Sequence, residues 1–431
     1  DNENYDPVDY LNSLYSQSRH GNSGTRAGAK SHVLDKLTYT YTKLDQILIP
    51  DIEALKYKLI IITGNAGDGK TAFIHQIESK GQNKVCFDSN NGSAFEISGV
   101  KFQSNYDGSQ DEDEKANDDV LADFFSPFFN LKDYTEAKEG RVIAINEGRL
   151  VDFLSTRPEL RSLQDNIEEY FYQGGHIQLL PGLMVINLNL RSVTAKSQNS
   201  PSLLSQQVKL LTRPEIWKKC EGCPIADRCY IKYNVDTFQD SSAEVINRLE
   251  WLVRTIVYKR ELHITMRDLR SMIAWMITRD YSCEEVKQLV EYVKNEKLPE
   301  YYWQYYYFNV TAPEAWPVND FPLPSLASSD RLVKLLRETD VAGVALPAFD
   351  RDLYYTSKKA NDYLIFSDRK RSLLKDFNDA SFIIPSYEVK SSDIRMQMTG
   401  RHKSFIRHQY FEGAFDFKRR LPYRYASKFE K

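Results

Sequence analysis

The chain has 431 residues, 42% of them hydrophobic and 27% charged, with a formal net charge of −3. That length exceeds one ordinary core and predicts two or three structural units, while the near-neutral balance excludes a global attraction to nucleic acid. No apolar run approaches the roughly 20 residues a membrane helix requires. The opening Asp1-Asn2-Glu3-Asn4 carries no export signal, so a soluble, cytoplasmic protein with no membrane partner is expected, and one cut from a longer polypeptide.

Residues 1–56 read as a polar N-terminal lead-in. The core is predicted over 57–200, opening with the β-branched run Lys58 to Thr63, the pattern of a buried parallel strand. Gly64-Asn65-Ala66-Gly67-Asp68-Gly69-Lys70-Thr71 follows and matches G-x4-G-K-T, with a helix predicted from Thr71 to Glu78. In such a loop the glycines let backbone N–H groups converge on phosphate oxygens, and the next helix adds its positive N-terminal end. Gly64 to Ala72 are therefore the candidate binding residues for a nucleoside triphosphate, ATP first. Lys70 would neutralise the β- and γ-phosphates, and Thr71 would give its hydroxyl to Mg2+.

Further strands are predicted at Lys84 to Phe87, Arg141 to Ile145 and Leu183 to Ile186, spaced widely enough for intervening helices. The fold class is thus α/β, a parallel sheet with helices on both faces, followed by a helical lid and a mixed, mainly helical C-terminal region. Hydrolysis requires an acidic residue at the end of a neighbouring strand. Asn146-Glu147 follows Arg141 to Ile145, so Glu147 is the candidate water-activating base, with Asn146 in the usual place of an aspartate. Asp88, ending the Lys84 to Phe87 strand, is a second source of a carboxylate. Asn187 and Asn189 alternate onto one face of the Leu183 to Leu190 segment. Asn189 is a candidate sensor of the γ-phosphate or the attacking water, and Arg191 beside it a candidate catalytic residue. The stretch from Asp107 to Asp119, rich in Asp and Glu, reads as a solvated loop.

Residues 201–242 form a cysteine-rich knuckle. Five cysteines, three of them crowded into Cys220, Cys223 and Cys229, do not make a secreted disulfide framework. C-x2-C-x5-C fits structural zinc, or an iron–sulfur cluster, with Cys283 or His263 as a remote fourth ligand. A helical lid is predicted over 243–300, where Val245, Leu249, Leu252, Val253 and Ile256 share one face and Leu269, Met272, Ile273 and Met276 repeat the pattern. Arg267 and Arg270 are candidate lid arginines. Residues 301–431 form an aromatic and basic C-terminal domain. From Ser391 to Lys431 ten basic residues stand against four acids, a segment that could grip DNA through phosphate contacts and stacking.

The order of strand, phosphate loop, helix, acidic strand, asparagine-ended strand and helical lid resembles the AAA+ and STAND branch of P-loop ATPases over residues 57–290. Within it, the runs Ile61 to Phe73 and Ile145 to Leu150, with the Cys220 to Cys229 knuckle, resemble ATPases of bacterial anti-phage systems. Two kinds are similar: DptF-like restriction ATPases, and the ATPase portion of defence proteins that also carry a Ser/Thr kinase. The resemblance implies ATP-driven switching or assembly in a system that restricts foreign DNA, with other defence proteins or fused domains as partners and a homo-oligomer as one possible state. Lys70, Thr71 and Glu147 are the residues it carries over. No kinase catalytic loop of the His-Arg-Asp type is present. Two other functions compete: a nucleotide-gated binding module with little turnover, suggested by Asn146, and a metal-dependent nuclease built on Asp379 and Glu388-Val389-Lys390.

Overall fold

The computed structural model describes residues 6–20, 33–111, 116–175, 177–196, 201–239, 245–260, 262–293 and 330–338. The aromatic run Tyr301 to Phe308, the Asp379 and Glu388-Val389-Lys390 residues and the basic segment Ser391 to Lys431 lie outside the described residues. Two compact units are present. One comprises Thr25–Arg191 with Thr265–Arg267; the other comprises Asp1–Gly24, Ser192–Ile264 and Asp268–Lys431.

Helices of eight residues or more are numbered in chain order. The first, α1 (Pro7–Leu14), belongs to the second unit. The first unit then runs β1 (Leu59–Thr63), α2 (Lys70–Glu78), β2 (Gln82–Cys86), β3 (Ser93–Ile97), β4 (Val100–Asn105), α3 (Asn117–Phe125), β5 (Gly140–Ala144), α4 (Glu147–Ser155), α5 (Arg161–Tyr172) and β6 (Leu183–Asn187). Six strands form one sheet in the order β2-β3-β4-β5-β1-β6. β1 lies between β5 and β6 and is parallel to both, and β4 is parallel to β5.

The class is α/β, but the sheet is mixed where a parallel one was expected. β2, β3 and β4 form an antiparallel meander. Its β3–β4 turn is Ser98-Gly99, with φ of 49° and 81°, the positive values a two-residue hairpin turn requires. The local turn brings the chain straight back, so no crossover helix separates these strands. β2 is the sheet's exposed edge.

Alternation along β1 distributes the core. Leu59 and Ile61 pack with Leu121, Phe125, Phe153, Leu154 and Ile167 from α3, α4 and α5 on one face. Ile60 and Ile62 pack with Phe73, Ile74 and Ile77 of α2, and with Leu48, Ile49 and Ile52, on the other. Helices therefore cover both faces, which is why all five residues of β1 are apolar or fully buried.

The second unit is helical: α6 (Leu203–Leu211), α7 (Tyr230–Gln239), α8 (Val245–Arg260), α9 (Met266–Thr278, whose first two residues pack with the sheet unit), α10 (Cys283–Val293) and α11 (Arg331–Glu338). Val245, Leu249, Val253 and Ile256 are buried, as are Leu269, Met272, Ile273 and Met276, so the helical periodicity marks the packed faces. α1 is tied to the α9–α10 turn through Asn12, whose amide donates to Tyr281 O at 3.1 Å and whose Oδ1 accepts from Thr278 Oγ1 at 2.6 Å. Among the described residues no helix is long and apolar enough to cross a membrane.

Candidate functional site

Gly64 to Gly69 connect the end of β1 to the start of α2. At Gly67 φ is +95°, and a Cβ there would sit 2.8 Å from Arg267 Cβ, so both backbone and space demand glycine. Gly64 is similarly confined, its missing Cβ falling 2.9 Å from Leu188 Cβ and 3.0 Å from Asp68 Oδ2. Asp68 is fully buried and shapes the loop, its Oδ2 accepting the Asn65 N–H at 2.7 Å. Gly69 caps α2 without any side-chain hydrogen bond. The positive end of the helix therefore lies at the loop, with no side-chain cap on its first N–H groups.

Lys70, the first residue of α2, is half-buried and donates through Nζ to Gly64 O at 2.8 Å and Asn65 O at 2.9 Å. Burial lowers its pKa, with the Arg267 charge adding to the effect while Asp68 and Asp107 oppose it. That set of neighbours identifies a residue absent from the sequence-based candidates, Asp107. Asp107 follows β4, and the chain there stays on the sheet: Gly108 N donates to Ala144 O at 2.8 Å, and Ile145 N donates to Ile62 O at 3.0 Å. The ends of β4, β5 and β1 thus lie side by side. Asp107 is fixed by its own N–H, which donates to Asn91 Oδ1 at 2.9 Å and Asn105 Oδ1 at 3.0 Å, and its carboxylate accepts from Ser109 N at 3.0 Å. The expected solvated loop begins just past β4, with Ser109 to Asp111 exposed, and gives way to helix α3 at Asn117.

The Asn146-Glu147 pair follows β5, directly beside β1. Asn146 is the N-cap of α4, its Oδ1 accepting the Gly148 N–H at 2.9 Å. Glu147 is the first residue of that helix and half-buried. Asp88 is exposed after β2, and three strands stand between β2 and β1, so the sheet does not bring it beside the loop. On the other flank of β1, Thr63 pairs with Asn187. Asn187 Oδ1 accepts from Asn189 N at 3.0 Å. Asn189 Oδ1 and Thr63 Oγ1 are buried without a hydrogen-bond partner in the protein, an arrangement that costs about 1–3 kcal/mol per group until something satisfies it.

Arg191 braces the loop: Nη2 donates to Asp68 O at 2.6 Å, and burial lowers its pKa against the opposing charges of Asp68 and Tyr39. Of the two lid arginines, Arg267 belongs here. Its N–H donates to Gly67 O at 3.1 Å, its side chain is exposed and its charge acts on Lys70. Arg270 instead donates to Tyr10 Oη at 2.5 Å in the helical unit.

Cys220, Cys223, Cys229 and Cys283 all fall in the helical unit and are free and partly buried. Cys283 Sγ lies 4.0 Å from Asp6 Oδ1, and Asp6 also pairs with Lys219, next to Cys220. Burial and the neighbouring thiols Cys229 and Cys223 push Cys220 up to about 11, while burial, Asp6 and the thiols Cys220 and Cys229 push Cys283 up to about 12. Among the described residues no three His, Cys, Asp or Glu side chains are arranged to hold a metal ion.

No protein-family model matches the chain, and no curated protein matches it. Its function has to be read from these residues.

Proposed function

We propose that this chain is a P-loop ATPase that binds a nucleoside triphosphate across Gly64 to Ala72 and hydrolyses it as a regulatory step. The observation that carries the reading is the loop itself, Gly64 to Gly69 between β1 and α2, with Lys70 Nζ held on the Gly64 and Asn65 carbonyls at 2.8 and 2.9 Å. Lys70 holds two backbone oxygens in bonds that a phosphate would outcompete, since bonds between charged partners are about twice as strong as those to neutral ones. The loop N–H groups and the uncapped start of α2 supply the rest of an anion site.

The donor set fits Mg2+, a hard cation that takes one or two protein oxygens and the nucleotide's phosphates. Thr71 and Asp107 would hold it, and it would neutralise charge developing on the phosphates. Glu147 supplies the base for water and Asn189 a polar contact to the terminal phosphate. Arg267 places a positive charge over the loop, and Arg191 keeps the loop in shape through Asp68 O. With Asp107 just past β4, on the far side of β5 from β1, Asn146 is not required to hold the metal. This favours turnover over a nucleotide-gated binding module.

Lys70→Ala is the test. The loss of a charge-assisted contact worth about 1.5–3 kcal/mol should weaken ATP binding about 10- to 100-fold and abolish measurable turnover. A folded Lys70→Ala protein that hydrolyses ATP at the parent rate refutes the reading. Tight ATP binding by the parent without phosphate release, with DNA or partner added, selects the binding module instead. The place of this ATPase in an anti-phage restriction system, with DNA gripped by the basic Ser391 to Lys431 segment, rests on the resemblance of Ile61 to Phe73 and Ile145 to Leu150 to DptF-like proteins.

A second reading concerns the thiols. The four cysteines are proposed to take up structural zinc, with Cys283 rather than His263 as fourth ligand, because Cys283 and Cys220 share the Asp6–Lys219 neighbourhood. The thiols must close from their present arrangement for this. Purified protein should then carry about one zinc per chain and lose it on Cys283→Ser, whereas His263→Ala retains it. Stoichiometric zinc in Cys283→Ser protein, or none in the parent, rejects the assignment.

A further inference from the structure

Among the described residues of the sheet unit, the most heavily bonded ionisable group is not at the loop but at the other end of α2. The Glu78 side chain has no solvent exposure. Its Oε1 accepts from Ser93 Oγ at 2.7 Å, Ser104 Oγ at 2.5 Å and Tyr106 Oη at 2.8 Å. Its Oε2 accepts from Lys84 Nζ at 2.7 Å and Tyr106 Oη at 3.0 Å, and pairs with His75 Nδ1 at 2.9 Å. Burial would raise its pKa, but the bonds from His75, Lys84, Ser104 and Ser93 prevail and hold it at about 2.

Stability alone does not call for such a group. Desolvating a carboxylate costs several kcal/mol, and well-packed apolar residues of similar volume often serve as well or better. What a carboxylate with this many donors provides is a single geometry. Its donors come from β2 (Lys84), from β3 (Ser93), from β4 (Ser104) and from α2 itself (His75), and Tyr106 bridges both oxygens. Tyr106 is the residue before Asp107, and its ring also packs edge-on against His75, with centroids 4.7 Å apart. The helix that begins with Lys70 and Thr71 is thereby pinned at its far end to the chain that leads from β4 into Asp107.

We propose that Glu78 is a positioning residue which, through the Tyr106 hydroxyl, sets the Asp107 carboxylate against Lys70 and Thr71 so that the two elements hold one Mg2+ together. The inference rests on the nucleotide–magnesium reading above. Glu78 touches neither substrate nor metal. It fixes the distance between the two elements that do.

The experiment is a double-mutant cycle in the full chain, reading the MgCl2 concentration that half-saturates ATP hydrolysis, alongside ATP binding in excess EDTA and the melting temperature. Tyr106→Phe should raise the half-saturating magnesium about tenfold, the worth of one hydrogen bond to a charged group, and leave metal-free ATP binding unchanged. Asp107→Asn should raise it at least as much, and Tyr106→Phe added to Asp107→Asn should raise it no further. Ser93→Ala removes a donor from the same carboxylate on a strand that does not lead to Asp107; it should lower the melting temperature without moving the magnesium requirement. Independent, additive effects of Tyr106→Phe and Asp107→Asn overturn the proposal. So does a Tyr106→Phe protein that melts early with parent magnesium dependence, or a Ser93→Ala protein that shifts magnesium as far as Tyr106→Phe does. Lys70→Ala separates the two levels: if it leaves ATP binding intact the nucleotide reading fails, whereas if it weakens binding as expected and the cycle is additive, only the role of Glu78 fails.

Discussion

At the N-terminal end of α2 the charge of Lys70 rests on two backbone carbonyls at a half-buried position, while at the C-terminal end the charge of Glu78 is enclosed by five side chains and shielded from water. One helix thus carries an adaptable charge and a fixed one. Lys70 can leave its carbonyls for a ligand, because neutral acceptors at a partly wet site are readily exchanged. Glu78 cannot move without stranding Lys84 and three hydroxyls. The proposed role of Lys70 needs that contrast: a flexible group binds phosphate well only if the frame behind it does not shift with it.

The sharpest way to break the comparison is to remove the fixed charge. Glu78→Ala leaves an unbalanced buried cluster and should destabilise the protein by about 3–5 kcal/mol, read as a fall in the denaturant midpoint. The pH dependence has a definite sign. A carboxylate held at about 2, against an ordinary value of 4.5, adds stability that is fully present above the unfolded-state value and is lost as pH falls from there toward 2. The parent should therefore lose about 3 kcal/mol across that window, and Glu78→Gln should show a flatter profile. Parallel losses in the two proteins would show that Glu78 is not the group that titrates there.

The same contrast explains what was legible in the sequence. The strand, glycine-rich loop and helix around Gly64 to Thr71 could be read because the pattern is local, lying within about 20 consecutive residues. β1, β5 and β6 were visible as short apolar runs for the same reason. β3 and β4 were not, since Ser93, Glu96, Lys101, Gln103, Ser104 and Asn105 dilute the apolar pattern; the signal present was Ser98-Gly99 between Phe95-Ile97 and Val100-Phe102. Asp107 was hidden in an acid-rich stretch whose place on the sheet is set by pairing with β5, some 35 residues later. Glu78 looked like an ordinary last-turn glutamate, because all but one of its donors come from outside its helix. Arg191 was found for its position, yet its contact is to Asp68 O, a loop-bracing role that spacing does not reveal.

The smaller test is at the adaptable end. Gly67→Ala puts a side chain on a backbone with φ +95° and a carbon 2.8 Å from Arg267 Cβ. The strain is of order 1–3 kcal/mol. Part of it can be relieved, because the loop is partly exposed and Arg267 can yield, so the denaturant midpoint should fall less than in Glu78→Ala. ATP affinity should fall by more than stability does, since any relief moves the Gly64 to Thr71 backbone N–H groups away from where the phosphates would lie. A Gly67→Ala protein as unstable as Glu78→Ala would mean that the loop is held as rigidly as the buried carboxylate, and the two ends of α2 would then differ in charge but not in mobility.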